Sequence, residues 1–381
     1  MASRRLNVIS HCAKSPWYER TWSEDALYSE YAGRLVLQSL GGDKVEEYWE
    51  LRRNVGLFDV PEKPLEIRGP DAVEFCNHAF TRPVDNQRVG RGSYGLLCHK
   101  GGGMVCDGIL FRLAEDRFWY VHADGEVFLW LSALAAEYRV EIHDPGSWVL
   151  QVQGPKSLEV LARAIDTSVP ETFRYFDCFE GRMGGQPVLV SRTGWTNELG
   201  FEVYNMDAAV DGLALWDHLI AAGAEFGMRA GSQMAMNIRR IEGGILNYLT
   251  DMDWHTTPYD VGLGAFVNLD ACDFVGRDAL CDAQKAPRFT GFRCPPQAVA
   301  YAAALSSGGE TIGRVTAYDV SPYLQSGVGF ALLDSPRHME AGEVSVQTRS
   351  GESCPVEFVE LPFYDAEKNI PRGQPSPHDP D

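Results

Sequence analysis

Apolar and polar residues alternate with the period of a β-strand at several places along the chain. Residues 64–69 (PLEIRG) show this alternation and end at a Gly-Pro pair, which predicts a strand followed by a helix over DAVEFCNHAF. Two β-rich runs in residues 103–124 flank the turn signal Ala-Glu-Asp, which predicts a hairpin. A helix is expected next in GEVFLWLSALAAEY and a strand in VEIHD.

The pattern of strand, Gly-Pro and helix occurs a second time in residues 148–165. The two copies, IRGPDAVEF and VQGPKSLEV, predict an internal structural repeat made of two α+β halves. Residues 186–205 predict another hairpin with a long, glycine-containing connection, and helices are expected over residues 211–227 and 231–245.

The pattern changes after residue 285, where KAPRFTGFRCPPQ has no apolar period and predicts a linker. Short β-rich runs separated by Gly, Ser and Pro follow, which is typical of a small β-barrel, and the tail PRGQPSPHDPD is expected to be disordered. The expected fold class is therefore α+β, with two pseudo-symmetric α+β domains and a carboxyl-terminal β-barrel. The expected bounds are 1–146, 147–284 and 285–365 for the domains and 366–381 for the tail.

Composition and charge narrow the class of protein. The net charge of −19 over 381 residues argues against nucleic acid as a partner, because phosphate binding needs clustered positive charge. No apolar run reaches the ~20 residues that span a bilayer, and the amino-terminal segment contains no apolar h-region. The nine cysteines form no CxxC pair and the histidines form no HExxH motif, so no metal is expected. These features predict a cytoplasmic protein without membrane contact.

Asp107 is the most informative candidate for chemistry, because no motif for a covalent nucleophile or a nucleotide phosphate is present. GGGM at residues 101–104 predicts a tight turn rather than a phosphate loop. Asp107 lies inside the apolar run MVCDGILF, and strand alternation places it on one face with Val105 and Ile109. This placement favours a partly buried carboxylate facing a cationic or proton-bearing ligand over a solvent-facing residue.

Aromatic and acidic residues occur together in the second hairpin. Trp195 and Glu198 lie in its connection, and Tyr204 lies in the strand that follows. An aromatic ring and an acid in one loop suit a flat heterocycle with an amino-pyrimidine edge, although an ordinary core contact explains Trp195 equally well. Arg240 and Glu242 in IRRIEGG are most simply a solvated pair on a helix. From these residues alone, the chain is either an α+β ligand-binding protein or an enzyme.

An ordered set of short segments carries a family resemblance. The segments are LRRNVGLFDV, LEIRGPDA, GSYGLLCHKGGGMVCDGILF, VLQVQGP, RTGWTNELGFEVY, IRRIEGGILNY, TPYDVGLGAFV, DFVGRDAL and GRVTAYDVSPYL. In this order they resemble the glycine-cleavage T-protein family of tetrahydrofolate-dependent aminomethyltransferases and demethylases. The resemblance implies two related α+β domains and a β-barrel around a central folate channel, with tetrahydrofolate as the cofactor.

The resemblance also implies roles for individual residues. Asp107 corresponds to the acid beside the reactive end of folate and is assigned as catalytic. Tyr94, Glu198, Arg240 and Tyr248 correspond to folate-binding positions, and Glu198 is expected to bind the edge of the pterin ring.

Departures from the T-protein pattern are similar to the demethylase branches of the family, first dimethylsulfoniopropionate demethylase and then bacterial aryl O-demethylases. Cys106 replaces the first of two aspartates, and Trp195 replaces a tyrosine. On this resemblance Tyr31, Trp195 and Tyr204 form a donor pocket, in which Trp195 and Tyr204 bind the substrate. Tyr31 is assigned as a catalytic acid for an aryl oxide leaving group. A sulfonium or quaternary ammonium would gain ~1 to 2 kcal/mol from each desolvated ring face.

The implied activity is transfer of a methyl group from a small S-, O- or N-methyl donor to N5 of tetrahydrofolate, giving 5-methyltetrahydrofolate. An aminomethyltransferase that takes its carbon from a lipoyl carrier protein is the alternative. A non-enzymatic, folate-binding iron–sulfur assembly factor is a further one, although CDFVGRDA stands where such proteins carry a KGCYxGQE-type signature. A last alternative is a folate domain detached from a flavin-dependent demethylating oxidase. Because the sequence has no dinucleotide fingerprint, such a domain could not oxidise its donor by itself.

Overall fold

The structure, a computed structural model, describes residues 12–122, 124–271, 273–297, 299–300 and 302–380. Residues 1–11, part of the amino-terminal segment in which the sequence shows no h-region, lie outside the described residues. The helices are α1 (Tyr18–Thr21), α2 (Lys44–Arg53), α3 (Ala72–Ala79), α4 (Val127–Leu134), α5 (Ser157–Ala164), α6 (Gly212–Gly223), α7 (Gln233–Glu242) and α8 (Arg277–Asp282).

Short 3-10 turns lie at Ala135–Glu137, Ala224–Phe226, Gly264–Phe266 and Pro336–Glu340. The strands are β1 (Leu27–Tyr31), β2 (Arg34–Ser39), β3 (Gly56–Val60), β4 (Lys63–Arg68), β5 (Arg91–Cys98), β6 (Met104–Ala114), β7 (Arg117–His122), β8 (Glu141–His143), β9 (Val149–Gln153), β10 (Cys178–Met183), β11 (Gln186–Ser191), β12 (Gly200–Asn205), β13 (Arg229–Ala230), β14 (Phe289–Cys294), β15 (Ala304–Ser307), β16 (Glu310–Ser321), β17 (Ser326–Leu333), β18 (Val344–Gln347) and β19 (Ser353–Val359).

The first sheet has the order β5-β6-β7-β4-β8, and all its neighbouring strands are antiparallel. The predicted strand–turn–helix unit is present as β4 and α3, and the predicted hairpin as β6 and β7. Gly69, between β4 and α3, has a φ of 146°, and a Cβ there would lie 2.2 Å from the carbonyl oxygen of Arg139. Only glycine fits this turn, which explains why the chain has glycine where the strand ends.

The second sheet repeats the first with one insertion. Its order is β10-β11-β12-β9-β3-β13, so β9, α5 and the strands β10 to β12 correspond to β4, α3 and the strands β5 to β7. The predicted internal repeat of two α+β halves is therefore present. The exception is β3, which comes from the first half of the sequence but pairs with β9 and β13 in the second sheet. The expected division at residue 146 does not separate the two sheets, because β3 precedes residue 146 in the chain but belongs to the second sheet.

The two sheets face each other through apolar side chains. Phe111 and Trp119 from the first sheet pack with Leu189 and Tyr204 from the second, and all four are buried. The helices α5 and α6 cover the second sheet with residues such as Leu161 and Leu215. Beside this apolar contact, residues of both sheets line a cavity.

A closed barrel of six strands in the order β14-β17-β16-β15-β18-β19 follows, as the β-rich runs predicted. The predicted linker over residues 285–297 is wrong, because β14 lies within it and pairs with both β17 and β19. The apolar residues of β14 lack a simple period because they face two cores. Phe292 and Cys294 pack inside the barrel, while Phe289 packs against the core of the first domain.

The carboxyl-terminal segment, residues 360–380, packs against the body of the protein, which differs from the disordered tail expected over residues 366–381. Ile370 is buried, and Arg52 of α2 donates a hydrogen bond of 2.5 Å to the carbonyl oxygen of His378. Arg192 donates to the carbonyl oxygen of Arg372 at 2.6 Å. Composition alone did not predict this packing, because the contacts are made with residues that are distant in the sequence.

Among the described residues, no helix combines the length and the apolar character needed to cross a membrane.

Candidate functional site

A cavity of about 390 Å³ lies where the ends of both sheets meet α7. We call it the central cavity. Its wall takes residues from β1, β5, β6, β12, α7, the loop after β3 and the carboxyl-terminal segment. The polar and aromatic side chains of this wall include Tyr31, Glu62, Tyr94, Asp107, Trp195, Glu202, Asn247, Tyr248, Phe266 and Lys368. A volume of this size is typical of a small-molecule site.

Asp107 lies on β6 in the wall of the central cavity. Its Oδ2 accepts a hydrogen bond of 2.5 Å from the hydroxyl of Tyr94 on the neighbouring strand β5. Asp107 pairs with Leu96 in the sheet, and Tyr94 lies two residues before Leu96. Its Oδ1 is buried and has no hydrogen-bond partner among the described residues. Burial raises the pKa of Asp107 to about 6 against the opposing effect of the Tyr94 hydrogen bond. A buried carboxylate oxygen without a partner needs a ligand to satisfy it.

Glu202 and Glu62 form a second acidic group in the wall, and neither was identified as a candidate from the sequence. Glu202 on β12 accepts hydrogen bonds from Gln151 at 2.7 Å, from Tyr204 at 2.5 Å and from Thr193. Glu62 is linked to Gln151 at 3.5 Å through Oε1, while its Oε2 is buried without a hydrogen-bond partner among the described residues. Burial raises the pKa of both carboxyl groups. The group therefore suits a ligand edge that offers several N–H donors.

Tyr31, Trp195 and Tyr248 supply the aromatic part of the wall. The Tyr31 hydroxyl donates to Oδ1 of Asn247 at 3.1 Å, and the Tyr248 hydroxyl donates to the carbonyl oxygen of Met104 at 3.0 Å. Burial, followed by the charge of Asp107, raises the pKa of Tyr31 well above its usual value. Tyr31 can thus offer a hydrogen bond to a ligand but gives up its proton less readily than an exposed tyrosine.

A second cavity of about 630 Å³ lies between α7 and the barrel. The two cavities share a wall formed by Tyr31, Trp195, Gln233 and Asn247. Arg240 lines the second cavity and not the central one. Its guanidinium lies 5.3 Å from the centre of the Trp195 ring. The folate-binding role expected for Arg240 therefore concerns a residue of the second cavity, and it stays a prediction.

Glu198 is placed away from the central cavity. It forms ion pairs of 3.0 Å with Arg52 and 2.7 Å with Arg239, and its side chain is buried between α2 and α7. Asn197, which precedes it, has a φ of 55° and turns the chain so that Glu198 points to these arginines. The carboxylate that this loop and strand bring to the cavity is Glu202, four residues later.

Tyr204 lies behind the wall rather than in it. Its ring is buried against Phe111 and Trp119, at centroid distances of 6.2 Å and 6.4 Å, and it lines neither cavity. Its hydroxyl is held by Glu202. Tyr204 therefore orients an acid of the wall, and the predicted trio of donor-binding rings is reduced to Tyr31 and Trp195.

The pair Arg240 and Glu242 is buried, which contradicts the simple prediction of a solvated helix pair. Arg240 forms an ion pair with Asp251. Glu242 accepts hydrogen bonds from Tyr48, Ser321 and Tyr364, and it also pairs with Arg239. These contacts join α2, α7, the barrel and the carboxyl-terminal segment.

Three wall residues were missed for different reasons. Glu202 gives the same signal as Asp107, an acid inside an apolar strand (GFEVY), and this signal was available. Glu62 lies in a short loop and Lys368 in a segment expected to be disordered, so neither position carries a pattern in the sequence.

The chain resembles known proteins over most of its length. Residues 16–271 match the family described as the GCVT N-terminal domain, and residues 288–365 match the glycine cleavage T-protein C-terminal barrel domain. An aminomethyltransferase of Saccharopolyspora erythraea is 31% identical over 93% of this chain and 99% of its own length. The dimethylsulfoniopropionate demethylase DmdA of Ruegeria pomeroyi is 32% identical over 79% of this chain and 84% of its own. A crystal structure of the glycine cleavage system aminomethyltransferase T from Bartonella henselae superposes with a TM-score of 0.84 at 26% identity, covering 93% of this chain and 98% of that one.

Proposed function

The chain belongs to the glycine cleavage T-protein family, and from this premise we propose that it transfers a methyl group from a small donor to N5 of tetrahydrofolate. The observation that carries the proposal is the buried, unpartnered Oδ1 of Asp107 in the wall of the central cavity. An acid in this position suits an acceptor that develops positive charge while the new bond forms.

The wall of the central cavity fits a reduced pterin. The amino-pyrimidine edge of such a ring offers N–H donors, and the wall offers the unpartnered Oε2 of Glu62 beside the carboxylate of Glu202. Tyr94, Asp107, Glu202 and Tyr248 would hold the ring. When bound, tetrahydrofolate supplies a nucleophilic nitrogen, and the protein contributes position and charge.

The residues around Asp107 prepare it for this role. The Tyr94 hydroxyl holds one carboxylate oxygen and leaves the other directed to the ligand. Burial makes the charge of Asp107 more effective, since the surrounding dielectric is lower than that of water. Asp107 thereby orients the acceptor and stabilises the positive charge that appears on it during transfer.

The donor is proposed to be a small methylated molecule because of two residues in this chain. Cys106 stands beside Asp107 where the T-protein pattern has a second acid, and Trp195 stands in the wall shared by the two cavities. A sulfonium or ammonium donor would be attracted by the ring face of Trp195 and would leave as a neutral molecule. A methoxy-aromatic donor would need a hydrogen bond to its leaving oxygen, for which Tyr31 is available.

An aminomethyltransferase that uses a lipoyl carrier protein is the second candidate, and the relatives favour it. The relative from Saccharopolyspora erythraea and the structure from Bartonella henselae both carry the name aminomethyltransferase. The two candidates differ in what brings the one-carbon unit: a carrier protein in one case and a free small molecule in the other.

The first experiment tests binding and product together. Titration calorimetry with tetrahydrofolate should give saturable binding, and Glu202→Gln should weaken it about tenfold or more because a charged acceptor is lost. Glu159→Gln, an exposed residue of α5, is the matched control and should bind as the wild type does. A flat titration for folded wild-type protein would exclude a folate enzyme.

The donor is then identified by incubating the protein and tetrahydrofolate with sulfonium, betaine and methoxy-aromatic compounds and measuring 5-methyltetrahydrofolate by mass. For a sulfonium or ammonium donor, Trp195→Leu should raise KM more than it lowers kcat. For a methoxy-aromatic donor, Tyr31→Phe should lower kcat sharply. Formation of 5,10-methylenetetrahydrofolate only with an aminomethylated lipoyl carrier protein would select the second candidate instead.

A further inference from the structure

Lys368 brings an ammonium group from the carboxyl-terminal segment to the wall of the central cavity. Its Nζ donates to the carbonyl oxygen of Gly243 at 2.5 Å and to Oδ1 of Asn197 at 3.1 Å. Both acceptors are neutral. None of the ion pairs formed by the described residues includes Lys368. A largely buried cation therefore faces the cavity without a salt-bridge partner among the described residues, a position in which a ligand carboxylate would stabilise it.

The backbone holds Lys368 in this place. Its φ is 56°, in the left-handed region that a lysine rarely adopts. The carboxylate of Asp365 fixes the turn by accepting the backbone N–H groups of Asn369 and Ile370, and the Ile370 side chain is buried. The segment thus keeps an uncommon conformation that directs one cation to the cavity.

The charges that act on Lys368 come from α7 and from its own segment. Burial, followed by the guanidinium of Arg239 on α7, lowers the pKa of Lys368 to about 8, while Asp365 and Arg372 of its own segment act in opposite directions. Asp107, Glu62 and Glu202 line the same cavity as Lys368.

We propose that Lys368 is the carboxylate-binding residue of the central cavity, where its ammonium group pairs with a carboxylate of the bound ligand. The inference rests on the proposed function, because it assumes that the cavity holds tetrahydrofolate and a small donor. Either molecule can bring the carboxylate: tetrahydrofolate through its glutamyl tail, or the donor through an acid group of its own. A lysine serves such a contact as a compact point charge.

The simpler role of Lys368 is to bind the carbonyl group of Gly243, which follows α7, and so fix the segment. Lys285 provides a matched control for this role, because its Nζ donates to the carbonyl oxygens of Leu280 and Cys281 near the end of α8 and it lines neither cavity. If both lysines only hold backbone carbonyls, their replacement should have similar effects on stability and none on ligand binding.

The test compares wild type, Lys368→Gln, Lys368→Arg and Lys285→Gln by calorimetry and steady-state kinetics at pH 7. Tetrahydrofolate is compared with 6-methyltetrahydropterin, which lacks the glutamyl tail, and the active donor with its carboxamide analogue. Lys368→Gln should weaken one carboxylated ligand about tenfold or more and leave its uncharged counterpart within about twofold. The affected pair of compounds then tells which molecule carries the carboxylate, and Lys368→Arg should restore most of the affinity.

Dependence on pH provides a second readout. The affinity of the wild type for the carboxylated ligand should fall between pH 7 and pH 9 as the ammonium group of Lys368 loses its proton. Lys368→Arg should keep its affinity over this range, except for a change caused by Glu62, whose pKa burial raises to about 8. The proposal is overturned if folded Lys368→Gln binds all four compounds as wild type does, or if Lys285→Gln shows the same loss. Failure of wild type to bind tetrahydrofolate would instead reject the proposed function.

Discussion

At the scale of single residues, the site depends on a few buried polar atoms that the fold leaves unsatisfied. Asp107 and Glu62 each present one carboxylate oxygen without a hydrogen-bond partner among the described residues, and both line the central cavity. Groups of this kind destabilise a protein until a ligand binds, so they occur more often at functional sites than elsewhere.

Asp107→Asn is expected to lower activity and raise stability at the same time. The pKa of Asp107 is raised to about 6, so its contribution to stability is present at acid pH and lost as the pH rises through 6. At pH 8 the ionised group therefore costs stability, and asparagine removes that cost while it keeps the shape. Turnover should fall at least about a hundredfold, because the charge that stabilises the acceptor is lost.

Two measurements check the Asp107 prediction. The thermal midpoint at pH 8 should be higher for Asp107→Asn than for wild type, and the decline of wild-type activity below about pH 6 should be absent from the residual activity of the variant. Activity within a few-fold of wild type would show that Asp107 is a structural residue of β6.

At the scale of elements, two glycine turns place equivalent helices on the two sheets. Gly69 and Gly154 both have φ values in the left-handed half of the map, 146° and 129°, and both stand between a strand and a helix. A Cβ on Gly154 would lie 2.5 Å from the carbonyl oxygen of Asn54, so the turn also fixes the end of α2 against the second sheet. The internal repeat is thus enforced by close contacts between backbones.

Gly154→Ala is expected to destabilise the protein by about 2 to 4 kcal/mol, since the side chain meets backbone atoms and the φ is unfavourable for alanine. Urea unfolding followed by circular dichroism measures this change. Gly42→Ala is the control, because its Cβ would meet nothing within 4 Å and its φ is not in the left-handed region. Equal stability of the two variants would mean that the turn relaxes at little cost.

At the scale of the whole molecule, one buried network joins the parts that surround the cavities. Glu242 on α7 receives hydrogen bonds from Tyr48 of α2, Ser321 of the barrel and Tyr364 of the carboxyl-terminal segment. Arg239 links this group to Glu198. The charges lie at the junction of the domains, where they fix relative positions that apolar contacts would leave less specific.

Glu242→Gln should destabilise the protein by about 3 to 5 kcal/mol, because a buried arginine pair would then share one carboxylate instead of two. Thermal unfolding of the variant beside the exposed control Glu159→Gln measures the difference. A thermal midpoint equal to that of the control would show that the network contributes little net stability.

The sequence by itself determined the local elements and the class of the fold. Alternation and Gly-Pro signals located β4 with α3 and β9 with α5, and the ordered motifs indicated the family. These predictions succeeded because strand and helix periods, and glycine turns, depend on neighbouring residues in the chain. Asp107 was found for the same reason, as a charge inside an apolar strand.

Only the tertiary structure decided which residues meet in the cavity. Glu198 and Glu202 are four residues apart, yet the turn at Asn197 directs one to a buried arginine pair and leaves the other in the cavity wall. The strand β14 was missed because its apolar residues face two separate cores, and Lys368 because its segment is ordered by contacts distant in the sequence. The physical reason is common to all three: the direction of a side chain at a turn, and the burial of an irregular segment, depend on partners that local sequence patterns do not contain.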